Sequence, residues 1–579
     1  VPKEAPDVDV DVGPPLDAVQ LAANRAVRAE RRARALAEVG EYRRAVKALS
    51  PLPASDPNEP AVWSQLEDLH NPEGVDGSFP DAPEDLDSNP DYRYAIGTLK
   101  VGGSSEDDSE AQEVCTVQWT LSHMKRKVSQ SLTGARYEHY VHLSSELVKS
   151  MLTVILNGEV EDADLRRVLT SARLTALLKP NGKIRPIAVG EVLRRLAGRV
   201  ACYEHNTTIA RVLSRAGQFG VGVKGGIAFA WHAINLHLDN LEARYMADAV
   251  AADVSPPIGV ADPDAPGALK SDFKNAFGCG SRAKTHAQFA VRLPVLLRYY
   301  RFCYGHTSDM VVTHMDPNTL MARIVGIIGS KYGSQQGDVI GGLCFAFTSL
   351  EFAEQLREKF PDVMVSWIMD DLTVSGSQRE LLGVADFILE RGPSCGLFLA
   401  DFESEKNDIL CRVRPAAPEF ALRGFGQCDD GFRRPLLGAP FGTPAFIREE
   451  VVGLLRRKMA DITQLHRIQD AQLESLLLKH CFCSRPMHLL QLLHPNDMAD
   501  ALLEYEAVVR VEISRILGFF SHASGFPDHA WGQVRQPIRS VGFGLHNLPL
   551  VAPAAYVAAH GSVARLAGKL LSVFPALQF

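Results

Sequence analysis

Asp370 and Asp371 stand side by side in Val365-Ser366-Trp367-Ile368-Met369-Asp370-Asp371-Leu372-Thr373-Val374, an otherwise apolar and β-prone run. A strand sends its side chains alternately to two faces, so neighbouring carboxylates break the pattern and suggest a hairpin tip. Two like charges with apolar flanks are costly unless a cation shares them. The plain alternative is a solvated turn. A third carboxylate weighs against it: Asp272, in Ala268-Leu269-Lys270-Ser271-Asp272-Phe273-Lys274-Asn275-Ala276-Phe277, also ends a short apolar stretch. Magnesium takes hard oxygen ligands and keeps several waters, so two or three carboxylates plus substrate phosphates suffice to hold it. Phosphoryl transfer is mostly positioning and charge neutralisation, often by two ions roughly 3.5–4 Å apart.

The fragments around these aspartates are weak singly and informative in order. Upstream runs Leu177-Leu178-Lys179-Pro180-Asn181-Gly182-Lys183-Ile184-Arg185-Pro186-Ile187. Between the aspartates lies the turn Tyr332-Gly333-Ser334-Gln335-Gln336-Gly337-Asp338, leading into the apolar run Leu343 to Leu350. Downstream come Gly396-Leu397-Phe398-Leu399, Lys406, and Leu436-Leu437-Gly438-Ala439-Pro440-Phe441-Gly442. Over residues 170 to 445 this order resembles the fingers and palm of reverse transcriptases, above all those of non-LTR (LINE-type) retrotransposons. The likeness fades through a thumb-like region towards residue 520.

The resemblance implies an α+β right-hand polymerase with an antiparallel-sheet palm, mixed fingers and a helical thumb. It implies Asp272 and Asp370 as metal ligands, Asp371 as a supporting one, and the main-chain carbonyl of Phe273 as a further donor, around two Mg2+ ions that Mn2+ can replace. Arg185, with Lys179 and Lys183 before it, matches a basic hairpin over the incoming triphosphate, where a planar guanidinium grips phosphate through its fork. Gln336 and Gly337 match a turn lining template and nucleotide, and Lys406 a lysine that protonates the leaving pyrophosphate, its plain alternative being an exposed helix lysine. Phe277 matches an aromatic beneath the sugar that leaves no room for a 2′-hydroxyl, the group that marks RNA; its plain alternative is a core residue at a helix start. The implied activity is RNA-directed DNA synthesis by a nucleotidyltransferase. Its partners are an RNA template, a DNA or RNA primer and dNTPs.

Two departures stand out. Val339 and Gly342 occupy positions where the family has prolines, which stiffen the start of the following helix, and the segment from Leu399 to Lys406 is longer than usual. Three alternatives follow the same residues: an RNA-dependent RNA polymerase, a non-catalytic, domesticated RNA-binding scaffold, and an inactive genomic fossil truncated at both ends.

The elements that must position these residues divide the 579-residue chain into several units. A basic helical N-terminal extension covers residues 1–77, with helix expected over 16–48 and Arg25, Arg28, Arg31, Arg32, Arg34, Arg43, Arg44 and Lys47 on it. Residues 78–135 read as an acidic flexible linker: ten acids from Asp81 to Glu113 against Arg93 and Lys100 give −8, the whole net charge of the chain. Fingers are expected over 136–262, palm over 263–445, helical thumb over 446–525 and a helical tail over 526–579. Gln218-Phe219-Gly220-Val221-Gly222-Val223-Lys224-Gly225-Gly226 is a glycine-dense loop that resembles a segment passing near the template; it lacks the Gly-Lys-Ser/Thr of a phosphate loop.

The ten cysteines are scattered without a disulfide framework, which suits an intracellular compartment, nuclear or cytoplasmic. Cys481 and Cys483 with His480 and His488 are the one metal-like group and lack a second cysteine pair. No apolar run reaches membrane-spanning length. The chain opens at Val1 rather than methionine, which reads as a fragment or processed product.

Overall fold

The computed structural model describes residues 18–49, 55–101, 112–125, 128–179, 181–251, 259–315, 322–519, 526–570 and 574. The described strands are β1 (Thr98–Val101), β2 (Gln112–Cys115), β3 (Ala172–Leu178), β4 (Ile184–Gly190), β5 (Pro266–Ser271), β6 (Ser308–Met315), β7 (Ala322–Ser330), β8 (Met364–Ile368), β9 (Asp371–Ser377), β10 (Asp408–Leu410) and β11 (Gly426–Cys428). They form a hairpin, β1-β2, a four-stranded sheet in the order β4-β3-β6-β7, and a five-stranded sheet in the order β11-β10-β5-β9-β8. Pairing is antiparallel except at β3 with β6 and β10 with β11. With many helices around these sheets, the fold is mixed helix and sheet.

The five-stranded sheet separates two cores. Leu269, Val365, Trp367, Leu372, Val374 and Ile409 join one, with Phe345, Leu381 and Val384. Ala268, Met364 and Leu410 join the other, with Phe229, Trp231 and the C-terminal helices. A sheet covered on both faces reads as continuous apolar runs rather than alternation. Hence the carboxylates at its end looked so out of place in sequence. The four-stranded sheet has a smaller core of its own, in which Val62 and Leu66 of helix Pro60–His70 meet Leu174, Ala176, Ile184 and Ala188.

Two expected boundaries are corrected. The helix expected over 16–48 is two helices, Ala18–Glu38 and Tyr42–Leu49, parted at Gly40 with φ +79°. Their Ala33, Leu36, Val46 and Leu49 share a core with Leu477, Leu478 and Phe482, so they pack as part of the C-terminal helical body rather than as a separate extension. Residues 1–17 and the Arg25 side chain lie outside the described residues.

The described part of the 78–135 segment is not a free linker. Phe79 stacks on Tyr300 at 5.9 Å, Tyr94 is buried with its hydroxyl donating to Glu204 at 2.6 Å, and Asp87 pairs with Arg298 at 2.7 Å. The described acids project from a strap whose aromatics are anchored, while Glu106, Asp107, Asp108 and Glu110 lie outside the described residues. No described helix is long and apolar enough to cross a membrane.

Candidate active site

The aspartate turn is built by the β8–β9 hairpin. Ile368 pairs with Asp371, which leaves Met369 and Asp370 as a two-residue turn. Met369 takes φ +56°, a left-handed conformation that is uncommon outside glycine. Gln218 braces it: the side-chain amide donates to the Met369 carbonyl at 3.1 Å and accepts from the Met369 N–H at 3.0 Å. The same oxygen accepts from Gly220 N–H at 3.0 Å. The stretch around Gln218 runs parallel to β8, with Trp367 N–H donating to Gly217 and Phe219 N–H to Trp367, both at 2.8 Å. A Cβ on Gly220 would stand 2.6 Å from Met369 N, so glycine is needed for this approach. The sequence placed this loop near a template; it missed that Gln218 clamps the aspartates. A glutamine among glycines just before an apolar helix was the available signal.

Asp272 arrives from the neighbouring strand. Ser271 pairs with Leu372, so the next residues out, Asp272 and Asp371, end adjacent strands side by side. The Asp272 N–H donates to Asn407 Oδ1 at 2.8 Å, and its carbonyl accepts from Ala400 N–H at 2.8 Å. Lys406 Nζ donates to Asp272 Oδ2 at 2.5 Å. The longer segment between Leu399 and Lys406 is thus tied at both ends to Asp272.

The three carboxylates act on one another. Burial and the Asp272 charge raise the Asp370 carboxyl above its ordinary value, against Lys406 and Arg185. Burial, then Asp370 and Asp272, push Asp371 up to about 6, against Lys270 and Lys406. Lys270, buried on β5, is itself pulled down by burial, although Asp371, Asp408 and Asp272 oppose the shift.

Phe273 is buried and stacks on Trp367 with centroids 5.5 Å apart and planes 9° off parallel. Phe277 is half-buried and stacks on Phe345 at 5.6 Å, between the aspartate strand and helix Gly341–Thr348. Both readings of Phe277, sugar contact and core, start from this placement.

The basic hairpin stands over the same end. β3 and β4 are closed by Lys179 N–H donating to the Lys183 carbonyl at 2.8 Å, with Gly182 at φ +77°. Lys183 and Arg185 are exposed. Burial, then Arg185 and Lys406, lower the Lys179 ammonium, while Asp272 raises it. The Gln336-Gly337 turn meets the free edge of β4: Ala188 N–H donates to the Gln336 carbonyl at 2.9 Å. Gly337 has φ +117°, and a Cβ there would lie 2.5 Å from the Ala188 carbonyl oxygen, so no other residue fits this approach. Gly342, which stands with Val339 where prolines were expected, leaves room for the end of Met369, which lies 2.6 Å from where a Cβ would be.

The residues gathered here offer carboxylate oxygens, the donors a hard divalent cation takes, and burial raises the carboxyl groups of Asp370 and Asp371. Among the described residues no group of three or more His, Cys, Asp or Glu stands close enough together to hold an ion as placed. Lys406 holds the position on Asp272 that an ion would have to claim. The Cys481 and Cys483 thiols are buried, burial pushing them up to about 11 and about 12, and His488 Nε2 meets the Leu437 carbonyl at 2.9 Å. They serve as core.

No family model matches the chain. It is 25% identical over 266 residues to the retrotransposable element SLACS 132 kDa protein of Trypanosoma brucei gambiense, a match that takes in 45% of this chain. The chain spans 19% of that relative's length. Among solved structures it is similar to telomerase from Candida albicans in complex with a fragment of telomeric RNA (11% identity, 72% of this chain and 66% of that one, TM-score 0.31). It is also similar to apo telomerase from Candida tropicalis (11% identity, 73% and 71%, TM-score 0.30). Scores this low denote a slight likeness.

Proposed function

We propose that this chain, which is reverse-transcriptase-like, synthesises DNA on an RNA template and comes from a retroelement. The observation that carries the proposal is the meeting of Asp272 with Asp370 and Asp371 at the end of adjacent strands β5 and β9. In this reading residues 136–262 are fingers, 263–445 palm and 446–525 thumb of a right-hand polymerase. Asp272, Asp370 and Asp371, with the Phe273 carbonyl, would hold Mg2+, which when bound neutralises charge on the attacking and leaving oxygens. Lys183 and Arg185, with Lys179 beside them, bind the triphosphate of the incoming dNTP. Gln336 and Gly337 line the nucleotide and template. Lys406, already hydrogen-bonded to Asp272, is placed to give a proton to departing pyrophosphate once released from that contact.

The test is primer extension on an RNA template with magnesium or manganese, comparing dNTPs with rNTPs. DNA synthesis supports the proposal. RNA synthesis moves the chain to the replicase class, and tight RNA binding without synthesis makes it a scaffold.

Sugar choice gives a sharper check. Phe277→Ala opens the space beneath the sugar, so ribonucleotide incorporation relative to deoxyribonucleotide should rise by tenfold or more, about 1.4 kcal/mol of discrimination. Unchanged discrimination assigns Phe277 to the core alone.

Acidity gives another. The Asp371 carboxyl is raised in the folded chain, to about 6 against an ordinary value of 3.8. A raised folded value favours the fold below the unfolded pKa, and that contribution is lost as pH rises through about 6. The metal-free protein should therefore lose thermal stability between pH 4 and pH 7, as far as this group decides. Mg2+ should restore more of it at pH 7.5 than at pH 5, and a melting temperature with the same magnesium response at both would contradict the assignment.

A further inference from the structure

A cleft of about 430 Å³ lies between helix Ala18–Glu38 and the four-stranded sheet, lined by Arg32, Arg136 and Arg173 together with Ala35, Leu36 and Gln130. These arginines come from three separate stretches of chain. None of them has an acid partner among the described residues; Arg136 donates to Gln130 Oε1 at a long 3.4 Å. The Arg173 Nε is buried without a partner. Arg195, nine-tenths buried over the Tyr137 ring at 4.8 Å, has Nε and Nη2 buried without partners as well. Both oxygens of the buried Glu191 are taken by Thr133, from its N–H at 3.0 Å and its hydroxyl at 2.9 Å. Burial, then the Arg195 charge, press the Arg173 guanidinium below its ordinary value. Arginine nevertheless stays charged in proteins, so the cleft gathers positive charge with unfilled planar donors, the arrangement that phosphate satisfies.

The β-register joins the cleft to the aspartate end. Arg173 pairs with Val189 and Leu177 with Arg185, so Arg173 and Arg185 share one face of the β3–β4 hairpin, four residue steps apart. That spacing is about 13 Å along the strand. The opposite face is occupied by Leu174, Ala176, Ile184 and Ala188 against helix Pro60–His70. The face carrying the arginines is therefore a track with positive charge at both ends and half-exposed Thr175 and Ile187 between.

We propose that the cleft of Arg32, Arg136 and Arg173 grips the phosphate backbone of the single-stranded nucleic acid that feeds the aspartate site as template, an occupant that rests on the polymerase reading above. A positively charged groove that tracks the backbone is how proteins hold single strands without reading sequence. Arg195 sits behind as fixed charge.

The test is fluorescence anisotropy of a labelled single-stranded RNA on the full chain across a salt series. Each phosphate contact to a single strand contributes about 0.7 to the slope of log K against log salt, so Arg32→Gln/Arg136→Gln/Arg173→Gln should flatten it by about 2 and weaken low-salt binding by about tenfold. The corresponding triple lysine variant keeps the charge and should keep the slope. A glutamine variant with wild-type slope and affinity overturns the proposal, as does one whose binding loss accompanies melting that the lysine variant shares. If inorganic tripolyphosphate is lost from the glutamine variant while RNA binding is unchanged, the cleft is a small-anion site and the template assignment fails. A slope difference in a chain that makes no DNA would leave the cleft standing and remove the polymerase.

Discussion

Asp370→Ala/Asp371→Ala protein should extend no primer, with a rate at least about 10³-fold below the parent, while its fold and its RNA affinity persist. Removing charge stabilisation worth several kcal/mol from the transition state costs that much, since each 1.36 kcal/mol is about tenfold. The fold should persist because the two side chains contribute cost rather than support without an ion: burial and the Asp272 charge raise both carboxyl groups, and Asp370 raises Asp371 further. The variant should therefore melt at or above the parent temperature in EDTA, and lose the magnesium-dependent rise in melting temperature. Asp272→Ala should behave alike in synthesis and differ in one respect, because it also frees Lys406 from its 2.5 Å contact. A double variant that still makes DNA would place the chemistry elsewhere. One that melts many degrees lower would show these aspartates to be structural.

The aspartates were legible in sequence because they violate the pattern of their strands. β5, β8 and β9 are buried on both faces, so carboxylates at 272, 370 and 371 have no packing explanation. What brings them together was not legible. The meeting of Asp272 with Asp371 depends on the register of strands a hundred residues apart. The brace from Gln218 crosses 151 residues, and nothing local requires a glutamine there. The described part of the acidic segment misled for a related reason. Composition weighs every charge equally, whereas Tyr94, Phe79 and the Asp87–Arg298 pair fix that strap with a few specific contacts. The N-terminal helices show the limit of boundaries drawn from composition. Their basic faces were evident, but the apolar stripe of Ala33, Leu36 and Val46 does not announce its partner at Leu477 and Leu478.

Asp338→Ala should be among the most destabilising single changes, though Asp338 touches none of the reacting groups named above. Its carboxylate accepts from Arg194 Nη2 at 2.5 Å and from the Tyr304 hydroxyl at 2.6 Å, and the side chains of Arg194 and Asp338 are 1% and 3% exposed. Breaking one member of a buried pair strands the other charge and costs about 3–5 kcal/mol. Burial works against the Arg194 charge, and Asp338 together with Cys303, Tyr304 and Tyr299 outweighs it, so the guanidinium stays charged and cannot escape by losing its proton. Arg194 also donates to Gln335 Oε1 at 3.2 Å and to the Thr170 carbonyl at 2.7 Å. The pair thereby fixes the turn that presents Gln336 and Gly337 to the edge of β4. Stability and activity should separate in Arg194→Met/Asp338→Leu protein. Apolar replacement of both partners removes the stranded charge and should recover most of the lost melting temperature. Primer extension should stay impaired, chiefly through a raised KM for dNTP, because Gln335 has lost its donor and the turn its anchor. Full recovery of both would make the pair a packing device alone. A single Asp338→Ala change costing less than about 1 kcal/mol would mean that water reaches Arg194, against its complete burial here.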